Sequence, residues 1–457
     1  MIPRRHFVLG TLAGSVLATQ ARADFLPDGE IRTILKERID QTRQSVGIVA
    51  CSFDADRQKI VTHGSSGAAN DRPLDGDTVF EIGSITKVFT ALLLAEMVTR
   101  GEVALDDPVA KYLPADAKMP GRDGKQITLL DLATYSSGLP RDPEGLSNIS
   151  DNPFAAYTAE QLYSFLSRHT LRFDPGTHYE YSNLGSGLLG YALALRANAS
   201  YEDLVVSRLC RPLGLDDTRI ALGPSMRERL AQGHFANLKA ARNLDFSAPL
   251  AASGALRSTA NDLVKFMRAT CLGEPGAPLR PAIDLLLATR RAAYAANAKV
   301  GLGWFVLSGN DDEIVWKDGQ TGGYASFVGV STRLRSGAIV LSNAISSNND
   351  IGLRLTNPAY KITEYPPEVA VDPAVLATYD GIYRMNPKFV LVIRAEGGRL
   401  FVRGTGQAEF EMFAEAEDRF FMRIVDAQGT FLRNKDGRVD RLLWHQGGKY
   451  QYCLRTP

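Results

Sequence analysis

Residues 80–89 read Phe80-Glu81-Ile82-Gly83-Ser84-Ile85-Thr86-Lys87-Val88-Phe89 and contain a Ser-x-x-Lys arrangement. Apolar residues then recur at the spacing of one helix face, and neither Gly nor Pro interrupts them before Gly101. Because residues three apart share a helix face, Lys87 should lie one turn above Ser84. The stretch therefore predicts a helix whose first turn carries Ser84.

This arrangement suits nucleophilic catalysis by a serine. A serine hydroxyl is a poor nucleophile at neutral pH, so it needs a base within hydrogen-bond reach and donors aimed at the developing oxyanion. The N–H groups of a first helical turn favour negative charge. A Ser-x-x-Lys also occurs by chance about once in a chain of this length, so its partners decide its meaning.

A second stretch, residues 174–185, contains Tyr181-Ser182-Asn183. A tyrosine hydroxyl beside an ammonium group shifts towards the phenolate, because a nearby positive charge favours the ionised form. Such a tyrosine could take the proton of Ser84. The alternative is a buried tyrosine that is hydrogen-bonded in a loop.

A third stretch, residues 316–327, contains Lys317-Asp318-Gly319-Gln320. Its lysine offers a cation for a substrate carboxylate, and its glycines allow close approach of a substrate backbone to an edge strand. By itself the stretch is also compatible with a glycine-rich turn before a strand.

The composition is that of an ordinary globular protein. The 457 residues are 45% hydrophobic and 23% charged, with a formal net charge of +1, which predicts two or three domains. Balanced charge gives no reason to expect nucleic acid or an anionic membrane as partner. The four cysteines lack metal-type pairing, and both disulfides and buried free thiols remain open: Cys51, Cys210, Cys271 and Cys453.

Residues 1–23 are typical of an export signal. Arg4 and Arg5 precede an apolar run, and residues 21–23 have the small-x-small form of a cleavage site, which is similar to a twin-arginine signal. An ordinary secretory signal is the alternative. We expect a mature, exported protein (periplasmic or secreted) that begins near Asp24, with no integral membrane segment after cleavage.

The elements that follow predict an α+β architecture. Residues 28–45 have helical periodicity, and residues 46–51 and 59–64 form a predicted hairpin. Helical patterns dominate from about residue 127 to 295, and strand patterns return at residues 300–306, 327–330 and 337–343. We therefore expect an antiparallel sheet assembled from distant segments, flanked by helices, with an inserted helical subdomain.

The last part of the chain differs in pattern. Residues 363–371 are polar and proline-rich and predict a linker, after a catalytic domain spanning 24–362. Residues 372–457 contain short strands separated by turn signals, which predicts a small antiparallel barrel or sandwich. The predicted strands are residues 381–383, 389–393, 400–402, 420–422, 430–432, 441–444 and 450–452.

Together, the three stretches resemble the class C β-lactamase family of penicillin-recognising serine hydrolases, which includes DD-peptidases. Residues 127–140, 211–215 and 301–304 also look like landmarks of that family. The resemblance covers about residues 30–345 and implies its β-lactamase and DD-peptidase fold. Residues 372–457 resemble the lipocalin-like domains appended to some members.

The resemblance implies a role for each matching residue. Ser84 would be the acylated nucleophile, Lys87 its activator and Tyr181 the general base. Asn183 would bind a substrate amide, and Lys317 would orient Tyr181 and the substrate carboxylate.

The remaining expected contacts surround the scissile bond. The backbone N–H groups of Ser84 and Gln320 would form the oxyanion hole, and Gly319 and Asn343 would contact substrate. Asp318 departs from the usual Thr and should repel a substrate carboxylate, whereas Arg141 could restore carboxylate binding.

The resemblance thus implies hydrolysis of a β-lactam or a D-Ala-D-Ala-type peptide, with peptidoglycan as a candidate partner. A DD-carboxypeptidase, D-aminopeptidase or esterase on the same site is the alternative enzyme, and a penicillin-binding sensor that stays acylated is an alternative of another class. We expect no cofactor and no metal, since His63 lacks ligand spacing. His178 on a strand would face away from Tyr181, which predicts a structural role.

Overall fold

The computed structural model describes residues 24–70, 72–143, 146, 152–273, 279–387, 389–405, 409–446 and 448–456. The predicted export signal, residues 1–23, lies outside the described residues. Within the described part of the chain, no helix combines the length and apolar character needed to cross a membrane.

Roughly the first three quarters of the chain, to Thr356, form an antiparallel sheet packed between helices. In chain order the strands are β1 Gly47–Asp54, β2 Gln58–Gly64, β3 Phe80–Glu81, β4 Gly121–Arg122, β5 Lys125–Gln126, β6 Arg257–Ser258, β7 Arg291–Ala292, β8 Ala298–Val300, β9 Phe305–Gly309, β10 Asp312–Gln320, β11 Ala325–Ser331 and β12 Ser336–Ser342. The main sheet has the order β2-β1-β12-β11-β10-β9-β8-β7. Since β1 pairs with β12, the predicted α+β sheet built from both ends of this region is confirmed.

The helices cover both faces of this sheet. In chain order they are α1 Asp28–Lys36, α2 Thr86–Thr99, α3 Leu129–Ala133, α4 Pro153–Ala156, α5 Ala159–Arg168, α6 Asn183–Ala197, α7 Tyr201–Val205, α8 Arg211–Leu213, α9 Pro224–Glu228, α10 Ala260–Met267, α11 Arg280–Ala288 and α12 Asn349–Thr356. Along β1, Val49 and Phe53 belong to the core on the α2 side, whereas Ile48 and Ala50 belong to the core on the α1 side. Coverage on both sides explains why β1 is buried along its whole length.

Helix α2 is the centre of the larger core. Ser84 lies in a one-turn 3-10 helix, Gly83–Ile85, that leads directly into α2. All α2 residues from Thr86 to Met97 are buried, as is typical of a helix that is apolar on every side. Phe89 stacks on Phe266 of α10 with ring centroids 4.1 Å apart. The helix predicted from the Ser-x-x-Lys stretch is therefore present, and Ser84 sits just before its first α-helical turn.

The strand predicted at residues 300–306 is interrupted. Residues 301–304 form a loop between β8 and β9, in which Gly303 has φ +73°. A Cβ on Gly303 would lie 2.8 Å from the carbonyl oxygen of Lys87. Gly301 and Gly303 interrupt the strand, and Gly303 permits close packing against α2, the helix that carries Lys87.

The C-terminal region is a closed barrel preceded by a short helix that the sequence pattern did not predict, α13 Pro373–Tyr379. The barrel strands are β13 Gly381–Asn386, β14 Phe389–Glu396, β15 Arg399–Gly404, β16 Glu409–Ala414, β17 Arg419–Phe421, β18 Ala427–Arg433, β19 Val439–Gln446 and β20 Lys449–Thr456. The prediction of an antiparallel β-domain is confirmed, and of its two forms the barrel is the one present. Strand β16 was missed because its glutamates obscured the apolar signal.

The barrel packs on the sheet domain through a contact that we call the Arg423 seam, formed by Arg423, Phe413, Tyr365, Glu368 and Thr42. Arg423 donates hydrogen bonds to the Thr42 carbonyl (3.0 Å) and to Glu368 (3.2 Å). Its guanidinium carbon lies 3.7 Å from the centre of the Phe413 ring, and its carbonyl accepts from the Tyr365 hydroxyl. A largely buried cation, with 10% of its side chain exposed, thus joins the two regions.

Candidate active site

The Ser84 turn and the end of β10 are in direct backbone contact. A Cβ on Gly319 would lie 2.0 Å from the Ile82 carbonyl oxygen and 2.9 Å from the Ser84 nitrogen. Gly83 has φ +49°, and a Cβ there would be 2.7 Å from the Gln320 nitrogen. Only glycine fits at these two positions, because any larger residue would push the strand away from the serine.

Two side chains from the predicted motifs meet at the Ser84 hydroxyl. Its Oγ accepts hydrogen bonds from Lys87 Nζ (2.8 Å) and from the Tyr181 hydroxyl (2.8 Å). Lys87 also donates to Asn183 Oδ1 (2.9 Å) and to the Ser253 carbonyl (2.5 Å). Ser84 and Tyr181 are 97 positions apart in the sequence, and a direct hydrogen bond joins them in the fold.

The charges of this cluster shift each other's protonation. Burial lowers the pKa of Lys87 to about 8, although the neighbouring phenol of Tyr181 favours its charged form. Burial raises the pKa of Tyr181, but the ammonium groups of Lys317 and Lys87 outweigh burial and hold it below its usual value. The pKa values of Lys87 and Tyr181 are therefore both lowered, and the two groups share one proton network beside the serine.

Lys317 supports this network from β10. It is only 1% exposed, and its Nζ lies 5.2 Å from the Tyr181 ring centre and 4.7 Å from that of Phe305. Burial lowers its pKa, yet Tyr181 and Asp318 more than compensate, so that the net shift is upward. Lys317 thus remains a fixed positive charge beneath Tyr181.

These groups open into a pocket of about 370 Å³. Its polar lining includes Ser84, Asn183 and Asp318, and its walls are aromatic and aliphatic. The wall side chains are Phe154, Tyr179, Leu244, Phe246 and Phe305. The size fits a ligand of a few tens of atoms that carries both apolar and polar groups.

Asn183 and Arg141 lie at one side of the pocket. Asn183, the first residue of α6, donates through Nδ2 to Asp142 Oδ1 at 2.9 Å, and its backbone N–H donates to the Arg141 carbonyl. The Arg141 side chain is 69% exposed, and its guanidinium carbon lies 5.3 Å from the Tyr181 ring centre. Both residues line the pocket, as do Gly319 and Gln320.

Asn343 does not line the pocket and is a correction to the sequence-based expectation. Its side chain is 0% exposed, its Oδ1 accepts from the Gly47 N–H (2.7 Å), and its Nδ2 donates to the carbonyls of Ser65 and Ser66. Because the amide is already satisfied by backbone groups, Asn343 ties the end of β12 to β1 instead of contacting a ligand.

The histidines lie outside the cluster. Residues 169–182 form no strand, so the reason given for His178 was wrong; it instead stacks on Phe173, with centroids 4.2 Å apart. His63 bonds to Asp40 at 2.9 Å. Within the described ranges, no three His, Cys, Asp or Glu side chains come together to hold a metal ion, and the four cysteines are free.

Sequence reasoning missed several parts of the pocket. Ser253 contributes a backbone carbonyl, which no residue type can signal. Phe154 and Phe246 come from helical and loop segments distant from the motifs, and their single apolar side chains resemble ordinary core residues. Only the tertiary fold assembles them.

Comparison with known proteins identifies the family. The sequence profile of the Beta-lactamase family matches residues 32–357, and that of a domain of unknown function (DUF3471) matches residues 365–453. The chain belongs to the Beta-lactamase family. It is accordingly a serine hydrolase with acyl-enzyme chemistry, related to the β-lactamases and DD-peptidases that act on amide bonds.

Individual relatives carry two kinds of name. The chain is 29% identical over 311 residues to the D-alanyl-D-alanine-carboxypeptidase/endopeptidase AmpH of Escherichia coli (strain K12), covering 65% of this chain and 79% of AmpH. It is 24% identical over 454 residues to a penicillin-binding protein of Bacillus subtilis (strain 168), covering 92% and 97%. A solved β-lactamase/D-alanine carboxypeptidase from Yersinia pestis superposes with a TM-score of 0.60 at 26% identity, covering 69% and 92%.

Proposed function

We propose that Ser84 attacks the carbonyl carbon of a β-lactam or a D-Ala-D-Ala-type peptide amide and forms an acyl-enzyme that water then hydrolyses. The observation that carries this proposal is the pair of 2.8 Å hydrogen bonds that Ser84 Oγ receives from Lys87 and Tyr181. A serine hydroxyl that is hydrogen-bonded to two titratable groups, both with lowered pKa values, has the arrangement that acyl transfer needs.

Tyr181 is the proposed proton carrier. In its ionised form, favoured by Lys317 and Lys87, it accepts the Ser84 proton as the Oγ–carbon bond forms. The same hydroxyl then donates that proton to the leaving nitrogen as the carbon–nitrogen bond breaks. In deacylation Tyr181 takes a proton from water and returns it to Ser84, so that each cycle consumes one water.

The oxyanion that forms on the substrate needs donors. We propose the backbone N–H groups of Ser84 and Gln320, because the glycine contacts hold these two residues side by side. One such donor contributes about 10²–10³ in kcat. Asn183, bonded to Lys87 and Asp142, is proposed to bind the amide of the acyl group.

Two alternatives use the same site. A DD-carboxypeptidase is one alternative enzyme. A D-aminopeptidase or esterase is favoured over it by Asp318, whose carboxylate opposes the free carboxylate that penicillins and D-Ala-D-Ala peptides both carry. A sensor that stays acylated is disfavoured by Tyr181, since a base poised beside Ser84 also activates water.

We further propose that the protein is exported and acts on peptidoglycan-derived peptides. The arginine pair and cleavage-type residues at 4–5 and 21–23 support export. The name of the AmpH relative, a carboxypeptidase and endopeptidase for D-alanyl-D-alanine, supports the choice of peptide.

Turnover of a chromogenic cephalosporin, followed together with the intact mass of the protein, tests the proposal. Sustained colour with a transient adduct on Ser84 is the expected result for a β-lactamase. A stable adduct without turnover supports a penicillin-binding peptidase, and the absence of both supports the aminopeptidase or esterase. An adduct that persists in Ser84→Ala contradicts the proposal.

A further inference from the structure

The corner of the pocket formed by Lys317 and Asp318 has an unusual charge arrangement. Lys317 Nζ donates to the Asp318 carbonyl (2.9 Å) and to Asp318 Oδ1 (3.1 Å), and its charge also interacts with Tyr181. With its ammonium buried and directed at these partners, Lys317 has little capacity left for a substrate carboxylate.

Asp318 presents the group that a substrate meets. Its side chain is 42% exposed and lines the pocket, and no other described lining residue carries a carboxylate. Burial raises the pKa of Asp318, but the adjacent Lys317 outweighs burial and keeps the carboxyl ionised. Among the described residues, the one hydrogen bond that Asp318 Oδ2 accepts is long, 3.4 Å from Asn349 Nδ2.

An ionised carboxylate is an acceptor only, so a substrate carboxylate that approaches Asp318 would meet like charge and find no donor on that side chain. An amide N–H or an ammonium group would instead find a charge-assisted hydrogen bond. Arg141 also lines the pocket, with its guanidinium carbon 5.3 Å from the Tyr181 ring centre, and it pairs with Asp142 at 3.8 Å. Its side chain is 69% exposed and can meet an anionic group of the same substrate.

We propose that Asp318 makes this corner selective for hydrogen-bond donors, so that the preferred substrates carry an amide or amine beside the scissile bond instead of a free carboxylate. This inference rests on the proposed function, because it assumes acylation of Ser84. The chemistry is hydrolysis: the carbon–nitrogen bond breaks, the leaving amine takes the proton from Tyr181, and water releases the acyl group. The substrate class is therefore a peptide whose leaving residue carries a carboxamide or an amine in place of its free carboxylate.

Two peptides that differ only in that group test the proposal. Purified protein is given an N-acetylated D-Ala-D-Ala peptide as the free carboxylate or as the carboxamide, and release of D-alanine or D-alanine amide is measured by chromatography. The carboxamide should have a kcat/KM at least about tenfold higher. In Asp318→Thr the ratio should shift at least about tenfold towards the carboxylate.

Two controls separate selectivity from damage. Asp318→Asn keeps the size of the side chain. If the role of Asp318 were purely structural, this substitution would lower kcat/KM equally for both peptides and leave their ratio unchanged. Asp116→Asn removes an exposed carboxylate that does not line the pocket and should leave the ratio unchanged.

The outcomes also separate this proposal from the one on which it rests. Labelling of Ser84 by a fluorophosphonate reports the nucleophile alone. Three results in an enzyme that labels would overturn the donor-selective corner. They are a preference for the carboxylate peptide, a ratio of kcat/KM values that Asp318→Thr does not change, and cleavage of neither peptide. Failure of Ser84 to label would overturn the proposed function itself.

Discussion

Two cations in this protein are shielded from solvent beside an aromatic ring, Lys317 at 1% exposure and Arg423 at 10%, with different consequences. Lys317 lies 5.2 Å from the Tyr181 ring centre in the pocket, and Arg423 lies 3.7 Å from the Phe413 ring centre in the seam between the two regions. Each also pairs with one carboxylate. The protein thus uses one packing arrangement twice.

The difference lies in the ring and in the cation. Tyr181 has a titratable hydroxyl bonded to Ser84, and the positive charge of Lys317 lowers the pKa of that hydroxyl. Phe413 has no proton to give, and although burial lowers the pKa of Arg423, a guanidinium stays charged at any physiological pH. A buried cation beside an aromatic ring therefore becomes chemistry only where the ring titrates next to a nucleophile.

The largest effect expected from this comparison belongs to the nucleophile. Ser84→Ala should reduce turnover of every acyl donor to background and abolish covalent labelling, because no other described hydroxyl receives hydrogen bonds from Lys87 and Tyr181. Intact mass after incubation with an acylating substrate measures this. Ser207→Ala, on an exposed helical turn, should label normally; labelling of Ser84→Ala at the wild-type rate would refute the assignment.

The next effect belongs to the titrating ring. Tyr181→Phe keeps the ring over Lys317 and removes only the hydroxyl, so it makes the pocket resemble the Arg423 seam. It should slow acylation and deacylation by roughly 10² to 10⁴. Stopped-flow measurement of both steps tests this. Tyr163→Phe, which lies away from the pocket, is the matched control, and equal rates in all three proteins would rule out Tyr181 as the base.

The pH dependence of acylation follows from Lys87. Because burial lowers the pKa of Lys87 to about 8, its positive charge is present below that pH and lost above it. Loss of the charge weakens its support for the Tyr181 phenolate, so kcat/KM for an uncharged substrate should fall by up to about tenfold per pH unit above about 8. A rise through the same pH that persists in Tyr181→Phe would mean that neutral Lys87 is the base.

The smallest effect on activity is expected at the seam. Arg423→Met should lower the free energy of unfolding by about 2 kcal/mol, through loss of the ring contact and the charged hydrogen bonds. It should change kcat/KM by no more than about twofold, whereas Lys317→Met should abolish activity. Urea unfolding together with kinetics tests this pair. A loss of activity in Arg423→Met as large as in Lys317→Met would show that the two cations do not have separate roles.

Much of the fold could be predicted from local pattern. The α2 helix, the hairpin of β1 and β2, and the β12 strand contain apolar runs, and the glycines of the three strands lie at or next to a strand end. The loop at residues 301–304 could not, because its apolar residues suit a strand equally well and only contact with Lys87 decides otherwise. Strand β16 was missed because Glu409 and Glu411 have low strand propensity, although they alternate with apolar residues as in a strand.

The site divides in the same way. Ser84, Lys87 and Tyr181 belong to recognisable motifs, so their meeting could be anticipated. Asn343 could not be placed by motif, because whether an amide faces a ligand or the backbone depends on the pairing of β12 with β1.

The most direct test of the account is a titration of the tyrosine phenolate absorbance in the near ultraviolet, comparing wild type with Tyr181→Phe. The account predicts that the difference curve contains one tyrosine that ionises below pH 10, the ordinary value for this side chain. Lys317→Met should move that ionisation upward, because it removes the largest favourable charge. A Tyr181 that ionises at or above its ordinary value in the wild type would contradict the claim that buried cations make this ring a catalytic base.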